Sequence, residues 1–259
     1  MPVKILAVVA ALVAVGAATW YFWPREPPPP PPPAASSPPA STAAPSKAGP
    51  LHPIEAVPDQ PLPTLKESDP AMLEAMARVL GSAAVQKFLN LESVVPNIVA
   101  TVDNLPRDSY AQRLSPMKPI EGAFRVMGKE ATLAMAPGNA ARYTEFVKVV
   151  EGVDSAAAVA AYRRLYPLFQ QAYVELGYPN GYFNDRLVEV IDHLLGTPDV
   201  DGVLPLATPH VLYEYANPEL EERSAGQKAM LRVGRENTQR LKAKLRELRT
   251  QLVAAEPRR

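Results

Sequence analysis

The chain has 259 residues, no cysteine, and 27 basic against 27 acidic side chains, so its formal net charge is zero. The missing thiol excludes disulfides, thiolate zinc sites, cysteine nucleophiles and lipid attachment at a lipobox. The balanced charge leaves no global field to draw the protein to nucleic acid.

A four-residue flank, 1–4, precedes an uncharged and almost wholly apolar run over 5–23, ILAVVAALVAVGAATWYFW. As a helix, such a run spans roughly 28 Å, near the hydrocarbon thickness of a bilayer. Trp20, Tyr21 and Trp23 close it with rings suited to the headgroup layer, and Pro24 and Arg25 stop it. The alternative is a cleaved signal peptide, but the run is long for one and no clear Ala-x-Ala site follows it. We expect a single-pass transmembrane anchor. Lys4 and the amino terminus favour a cytoplasmic start, and Arg25 opposes them.

Positions 24–63 hold 16 of the 30 prolines, seven of them consecutive from Pro27 to Pro33, with alanine and serine filling much of the remainder. This composition predicts a disordered spacer biased to the polyproline II form, or alternatively a ligand for a proline-binding groove. His52 lies within it.

Residues 64–255 are enough for one substantial core, followed by a tail at 256–259. We expect a mainly α, compact multi-helix domain with a possible small β-hairpin. Asp69-Pro70 starts the first helix, whose apolar stripe ends at Gly81; Ser82 opens a second and Ser93 a third. Residues 123–135 show two short apolar runs around Gly128-Lys129, the possible hairpin. Helix resumes after Pro137-Gly138-Asn139 with Tyr143, Phe146, Val147 and Val150 on one face, and Asp154 caps the next helix.

That next helix carries Val159, Tyr162, Leu165, Tyr166, Phe169, Tyr173 and Leu176 at steps of three and four. Pro167 predicts a kink or break near Leu165. A Tyr178-Pro-Asn-Gly181 turn then reverses the chain into a helix with Leu187, Val190, Ile191 and Leu194 on one arc. Asp185, Arg186, Glu189, Asp192 and His193 lie on the other arc. A loop and a strand-like VLYEYA follow. Asn217-Pro218 starts a short helix, Ser224 with Gln227 fits a capping box, and a last helix runs from about Arg235 with a stripe of Leu241, Leu245, Leu248 and Leu252. Its Arg240, Lys242, Lys244, Arg246 and Arg249 are expected on a solvated face, or facing an acidic partner or anionic lipid.

Few chemistries have a motif here. In GAFRVMGK, 122–129, five residues rather than four separate the glycines, and Glu130 stands where a phosphate loop needs Ser or Thr. Asp199-Val-Asp201-Gly202 has its glycine too early for a calcium loop. Hydrolase, zincin and dinucleotide signatures are absent. Glu189 and His193 at i and i+4 could share a metal with Asp185 or Asp192, but the same spacing serves surface ion pairs, and only His193 and His210 are available in the domain. No cofactor, metal or catalytic residue is assigned. The arc Asp185, Arg186, Glu189, Asp192 and His193 is singled out instead as a partner surface, because helix packing alone leaves it unexplained. The alternative is a metal-dependent or acid–base hydrolase using the same arc.

Three segments carry a family resemblance: ATVDNLPR at 100–107, YRRLYPLFQQAYVELGYPNGYFNDRLVEVIDHLL at 162–195, and SAGQKAMLRVGRENTQRLKAKLRELR at 224–249. They resemble the bacterial domain-of-unknown-function family 3014, over most of residues 64–252. The resemblance implies an amino-terminal membrane segment, a low-complexity linker and this domain, in an envelope protein. It implies no activity, cofactor or catalytic residue. The resulting expectation is an inner-membrane, single-pass protein with a periplasmic domain that engages another envelope protein.

Overall fold

The computed structural model describes residues 49–55, 61–109, 111–209 and 212–254. The expected anchor at 5–23, most of the spacer and the 256–259 tail lie outside these residues. Among the described residues, no helix is long and apolar enough to cross a membrane.

The domain is mainly helical. Helices α1 (Asp69–Leu80), α2 (Ser82–Phe88) and α3 (Val94–Asn104) come first. Then follow α4 (Ala141–Glu151), α5 (Ser155–Glu175) and α6 (Phe183–Leu195). The chain ends in the short α7 (Pro218–Glu221), α8 (Ala225–Arg232) and the twenty-residue α9 (Arg235–Ala254). The long α5 is central: α1, α3 and α6 pack against it, and α9 lies across α4, α5 and α6. The apolar stripes read from helical spacing are the contact surfaces. Tyr162, Leu165, Phe169, Val190, Ile191, Leu194, Leu245, Leu248 and Leu252 are all essentially buried in one core. Rings cluster where α5 meets α6: Phe169 stacks on Phe183 at 5.7 Å between centroids, and Tyr162 lies 5.3 Å from Phe169.

Pro167 does not break α5. It occupies an exposed position, so the carbonyl it deprives of a donor one turn back can be hydrated, while buried Leu165, Leu168 and Phe169 hold both sides of the helix in place.

The hairpin is present: β1 (Val126–Met127) pairs antiparallel with β2 (Ala134–Met135), in the register Val126↔Met135. A second pair, β3 (Leu206–Ala207) and β4 (Glu214–Tyr215), forms from the loop after α6 and the VLYEYA segment. An Ala134↔Pro205 bridge joins the two pairs, with Met135 N donating to Leu204 O and Leu206 N to Leu133 O, each at 2.9 Å. Pairing places Met135, Leu204, Leu206 and Tyr215 in a second, smaller core completed by Leu220 and Leu231.

The expected boundary at residue 64 falls inside packed chain. Ile54 and Leu62 already lie against the main core, and the backbone at 51–52 is bonded to α6. Two of the five cations expected on the solvated face of α9 are internal. Lys242 and Lys244 are only 4% and 6% exposed, because each amine ends on a carbonyl that the packing leaves without a partner: Thr197 O at 2.6 Å and Val153 O at 2.8 Å. Asp199 and Glu247 complete the two ion pairs, and Arg240 is paired with Glu151. Arg246 stays exposed.

Candidate functional site

Helix α3 is apolar on almost every side, with Val94, Val95, Ile98, Val99, Ala100 and Val102 buried. Asp103 near its end is buried as well, at 3% exposure. A carboxylate so enclosed must be paired and hydrogen-bonded, and it is. Its Oδ2 accepts from Arg107 Nη2 at 2.6 Å and from the Tyr178 hydroxyl at 3.1 Å. Its Oδ1 accepts from Arg186 Nε at 3.0 Å, and Arg186 Nη2 also donates to the Asp103 carbonyl at 2.8 Å. Arg107 bonds the Tyr178 hydroxyl too, and Glu189 takes the far side of Arg186 at 2.9 Å. Burial works against the Arg186 charge, but the hydrogen bond and charge of Glu189, followed by Asp103, more than offset it and raise its pKa.

The Tyr-Pro-Asn-Gly turn delivers Tyr178 to this network. Tyr173 stacks on Tyr178 with centroids 4.5 Å apart, and its ring leaves no room for a side chain at Gly181, whose added Cβ would come within 2.9 Å. Burial, followed by the Asp103 charge, pushes the Tyr173 hydroxyl up to about 12, so it stays protonated at neutral pH.

A second junction lies one turn further along α6. His193 Nε2 sits 2.7 Å from Ser224 Oγ, and Ser224 Oγ accepts the Gln227 amide at 3.2 Å as the cap of α8. Gln227 does not close a reciprocal capping box; its side chain donates to the His193 carbonyl at 3.0 Å instead. The first amides of α8 donate to the chain leaving α3: Ala225 N to Arg107 O at 2.7 Å and Gly226 N to Leu105 O at 2.9 Å. Desolvation lowers the His193 pKa, and the Arg186 and Arg223 charges lower it further against the opposing Glu189.

The five residues singled out on α6 therefore face four different partners. Asp185 binds the backbone of residues 51 and 52. Arg186 and Glu189 belong to the Asp103 network, with Glu189 exposed at its edge. Asp192 is clasped by both Nε and Nη2 of Arg249 on α9, and His193 bonds Ser224. The arc that helix packing left unexplained is thus the seam by which α6 joins the strap at 49–55, α3, α8 and α9. Among the described residues, no group of three or more His, Asp or Glu side chains is placed to hold a metal ion. His210 lies outside them.

Sequence reasoning passed over Asp103, Arg107 and Tyr178. One signal was available: an acid in a helix otherwise apolar all round implies a buried, partnered charge.

The three segments that carry the family resemblance meet at these two junctions: 100–107 supplies Asp103 and Arg107, 162–195 supplies Tyr178, Arg186 and His193, and 224–249 supplies Ser224 and Gln227. A family model described as protein of unknown function (DUF3014) matches residues 94–249. The chain belongs to this family. No curated protein and no solved structure matches it. The DUF3014 match begins at the first residue of α3 and ends within α9, so it takes in both polar junctions and both hairpins and leaves out α1, α2 and the strap.

Proposed function

We propose that this DUF3014 protein is a membrane-tethered envelope protein that displays a helical binding or scaffold domain, without an assigned chemical activity. The observation that carries the reading is the order of segments: nineteen uncharged residues at 5–23, a proline-rich stretch, then a packed domain. The spacer holds the domain away from the bilayer face. The polar side chains of the α6 arc act as internal clasps, which suits a rigid display module whose surface, rather than a reactive centre, meets its partner. The membrane is the bacterial inner membrane, with the domain on the periplasmic side.

Three measurements test this. Membrane fractionation with alkaline extraction should leave the full chain in the membrane pellet, and deletion of residues 5–23 should release it. Reporter fusions after residue 254 should be active only in the periplasm. Release of the full chain by alkaline extraction would overturn the tether, and a cytoplasmic reporter signal would overturn the compartment. In vivo crosslinking should then capture the same envelope partner from the full chain in repeated experiments; capture of none would overturn the scaffold role.

A further inference from the structure

Residues 49–55 lie as a strap across the α5–α6 junction, held in an unusual way. The Asp185 carboxylate accepts two successive backbone amides, Leu51 N at 3.0 Å and His52 N at 2.8 Å. Asn184 Nδ2 donates to the His52 carbonyl at 2.8 Å, and Arg163 Nε donates to the Glu55 carbonyl at 3.2 Å. These four bonds read main chain, and Arg163 also lies 3.9 Å from the Glu55 carboxylate. The Leu51 side chain is 77% exposed and takes no part in the fit. The one apolar anchor is Ile54, which packs against the main core. Pro50 and Pro53 bracket the two amides, and neither has an N–H of its own, so Leu51 and His52 supply the only backbone donors in that stretch.

The receiving surface belongs to the helices, not to the strap. Asn184 and Asp185 stand in the first turn of α6, which α5 holds from below: Gln170 Oε1 accepts the Phe183 amide at 2.9 Å and Gln170 Nε2 donates to Gly181 O at 2.8 Å. Two buried polar atoms near this surface have no hydrogen-bond partner among the described residues, the Tyr162 hydroxyl and Asn184 Oδ1, on residues 0% and 1% exposed.

We propose that the α5–α6 groove at Asp185 is a peptide-docking site for a Pro-x-x-Pro-aliphatic segment, and that residues 50–54 of the chain are its resident ligand. This deepens the reading of the domain as a binding module and rests on it in that respect alone, since the groove works equally with or without a membrane tether. The carboxylate selects two adjacent free amides, the prolines pre-set the backbone and lower the entropy lost on docking, and the aliphatic residue supplies apolar burial. The resident strap is covalently linked, so its effective concentration keeps the groove filled until it is displaced. The partner is a second peptide of the same pattern, presented by another polypeptide.

The test uses the full chain in detergent micelles. In the doubly substituted chain, Leu51→Pro removes one amide from Asp185 and Ile54→Asp removes the apolar anchor. A fluorescent peptide of sequence GPLHPIE is titrated against this chain and against the unaltered protein, with fold monitored by circular dichroism. The substituted chain should bind the peptide at least tenfold more tightly than the unaltered one. Adding Asp185→Ala should remove that gain, and a peptide N-methylated at its Leu and His should not bind. No binding to a folded, strap-defective chain, or binding indifferent to Asp185→Ala, would overturn the proposal. Should the double variant fail to fold, amide exchange in the unaltered protein still decides. Leu51 and His52 should be protected and should lose at least tenfold of that protection in Asp185→Ala; unprotected amides would overturn it. Failure of peptide binding leaves the fractionation and reporter results standing, so the two readings fall separately.

Discussion

Asp103 and Arg186 are 83 positions apart in sequence and joined at 3.0 Å in the fold, one at the end of α3 and the other in α6. Their side chains are 4% and 18% exposed. Removing one member of such a pair leaves the other charge desolvated without compensation, which is where most of the cost arises. Asp103→Ala leaves Arg186 with only the exposed Glu189 as its ionic partner and the Tyr178 hydroxyl without its acceptor, and should destabilise the domain by roughly 3 kcal/mol. Arg186→Met should cost less, since Arg107 and Tyr178 still serve the carboxylate. Urea unfolding of the two variants and the double variant checks this; equal costs for the single variants would show that Arg107 and Tyr178 contribute little.

Helix α3 has a start that its own sequence does not provide. Ser93 lies at its N-cap with φ +48° and makes no side-chain cap. The cap comes from α1: Asp69 Oδ2 accepts Ser93 N at 2.7 Å and Oδ1 accepts Val94 N at 2.8 Å. Asp69→Ala should cost about 1 kcal/mol, as loss of a helix cap does. Ser93→Gly removes the left-handed penalty and should raise stability by up to about 1 kcal/mol. Thermal melts of the two variants should move in opposite directions.

These caps show where sequence reasoning reaches. Asp154 accepts the Ala156 and Ala157 amides, Asn217 accepts Glu219, and Ser224 accepts Gln227. All three caps are local in sequence, and local pattern identified the residues. The caps of α3 and α6 come from other helices, through Asp69 and Gln170, and no local pattern encodes them. The same distinction applies to side chains. Stripes such as Leu241, Leu245, Leu248 and Leu252 were legible because burial of one face imposes a helical period. Lys242 and Lys244 were placed in solvent because lysine is usually there; their burial depends on the carbonyls of Thr197 and Val153, each more than forty residues away. The charged arc of α6 was visible as an anomaly, but its four partners come from the strap, α3, the start of α8 and α9, which periodicity cannot bring together.

Gly226 marks the closest approach between α8 and the α3–α6 pair. A Cβ there would lie 2.7 Å from Leu194 Cδ2 and 2.9 Å from the Leu105 carbonyl oxygen, which accepts the Gly226 amide. Leu194 can rotate, but the backbone carbonyl cannot move without opening the junction. Gly226→Ala should therefore destabilise by roughly 1–3 kcal/mol, as overpacking does. Amide exchange should show faster opening at Ala225 and at residue 226 than in the unaltered protein. Unchanged exchange with an unchanged melt would show that α8 shifts freely.

His193 gives the domain a pH response whose sign follows from its burial and its charged neighbours. Ser224 Oγ accepts the Gln227 amide and lies 2.7 Å from His193 Nε2, and in the neutral imidazole with Nε2 unprotonated the hydroxyl can donate to that nitrogen. Protonation turns Nε2 into a donor, and the hydroxyl must then turn its own proton elsewhere. Desolvation, then Arg186 and Arg223, also disfavour the imidazolium, and the folded-state pKa lies below the ordinary 6.5. The unfolded chain thus binds the proton first as pH falls. Stability conferred by neutral His193 is complete above about pH 6.5 and declines as pH drops from there through the folded-state pKa. Melting temperature measured from pH 7.5 to 5 should fall in the unaltered protein. His193→Gln should remove the part of that fall that begins near pH 6.5 while leaving the carboxylate-driven loss at lower pH. Ser224→Ala should move the His193 imidazole resonance titration, followed by NMR, back toward 6.5. An unshifted resonance would show that desolvation and the charged neighbours set the pKa and that the hydroxyl has no part in it.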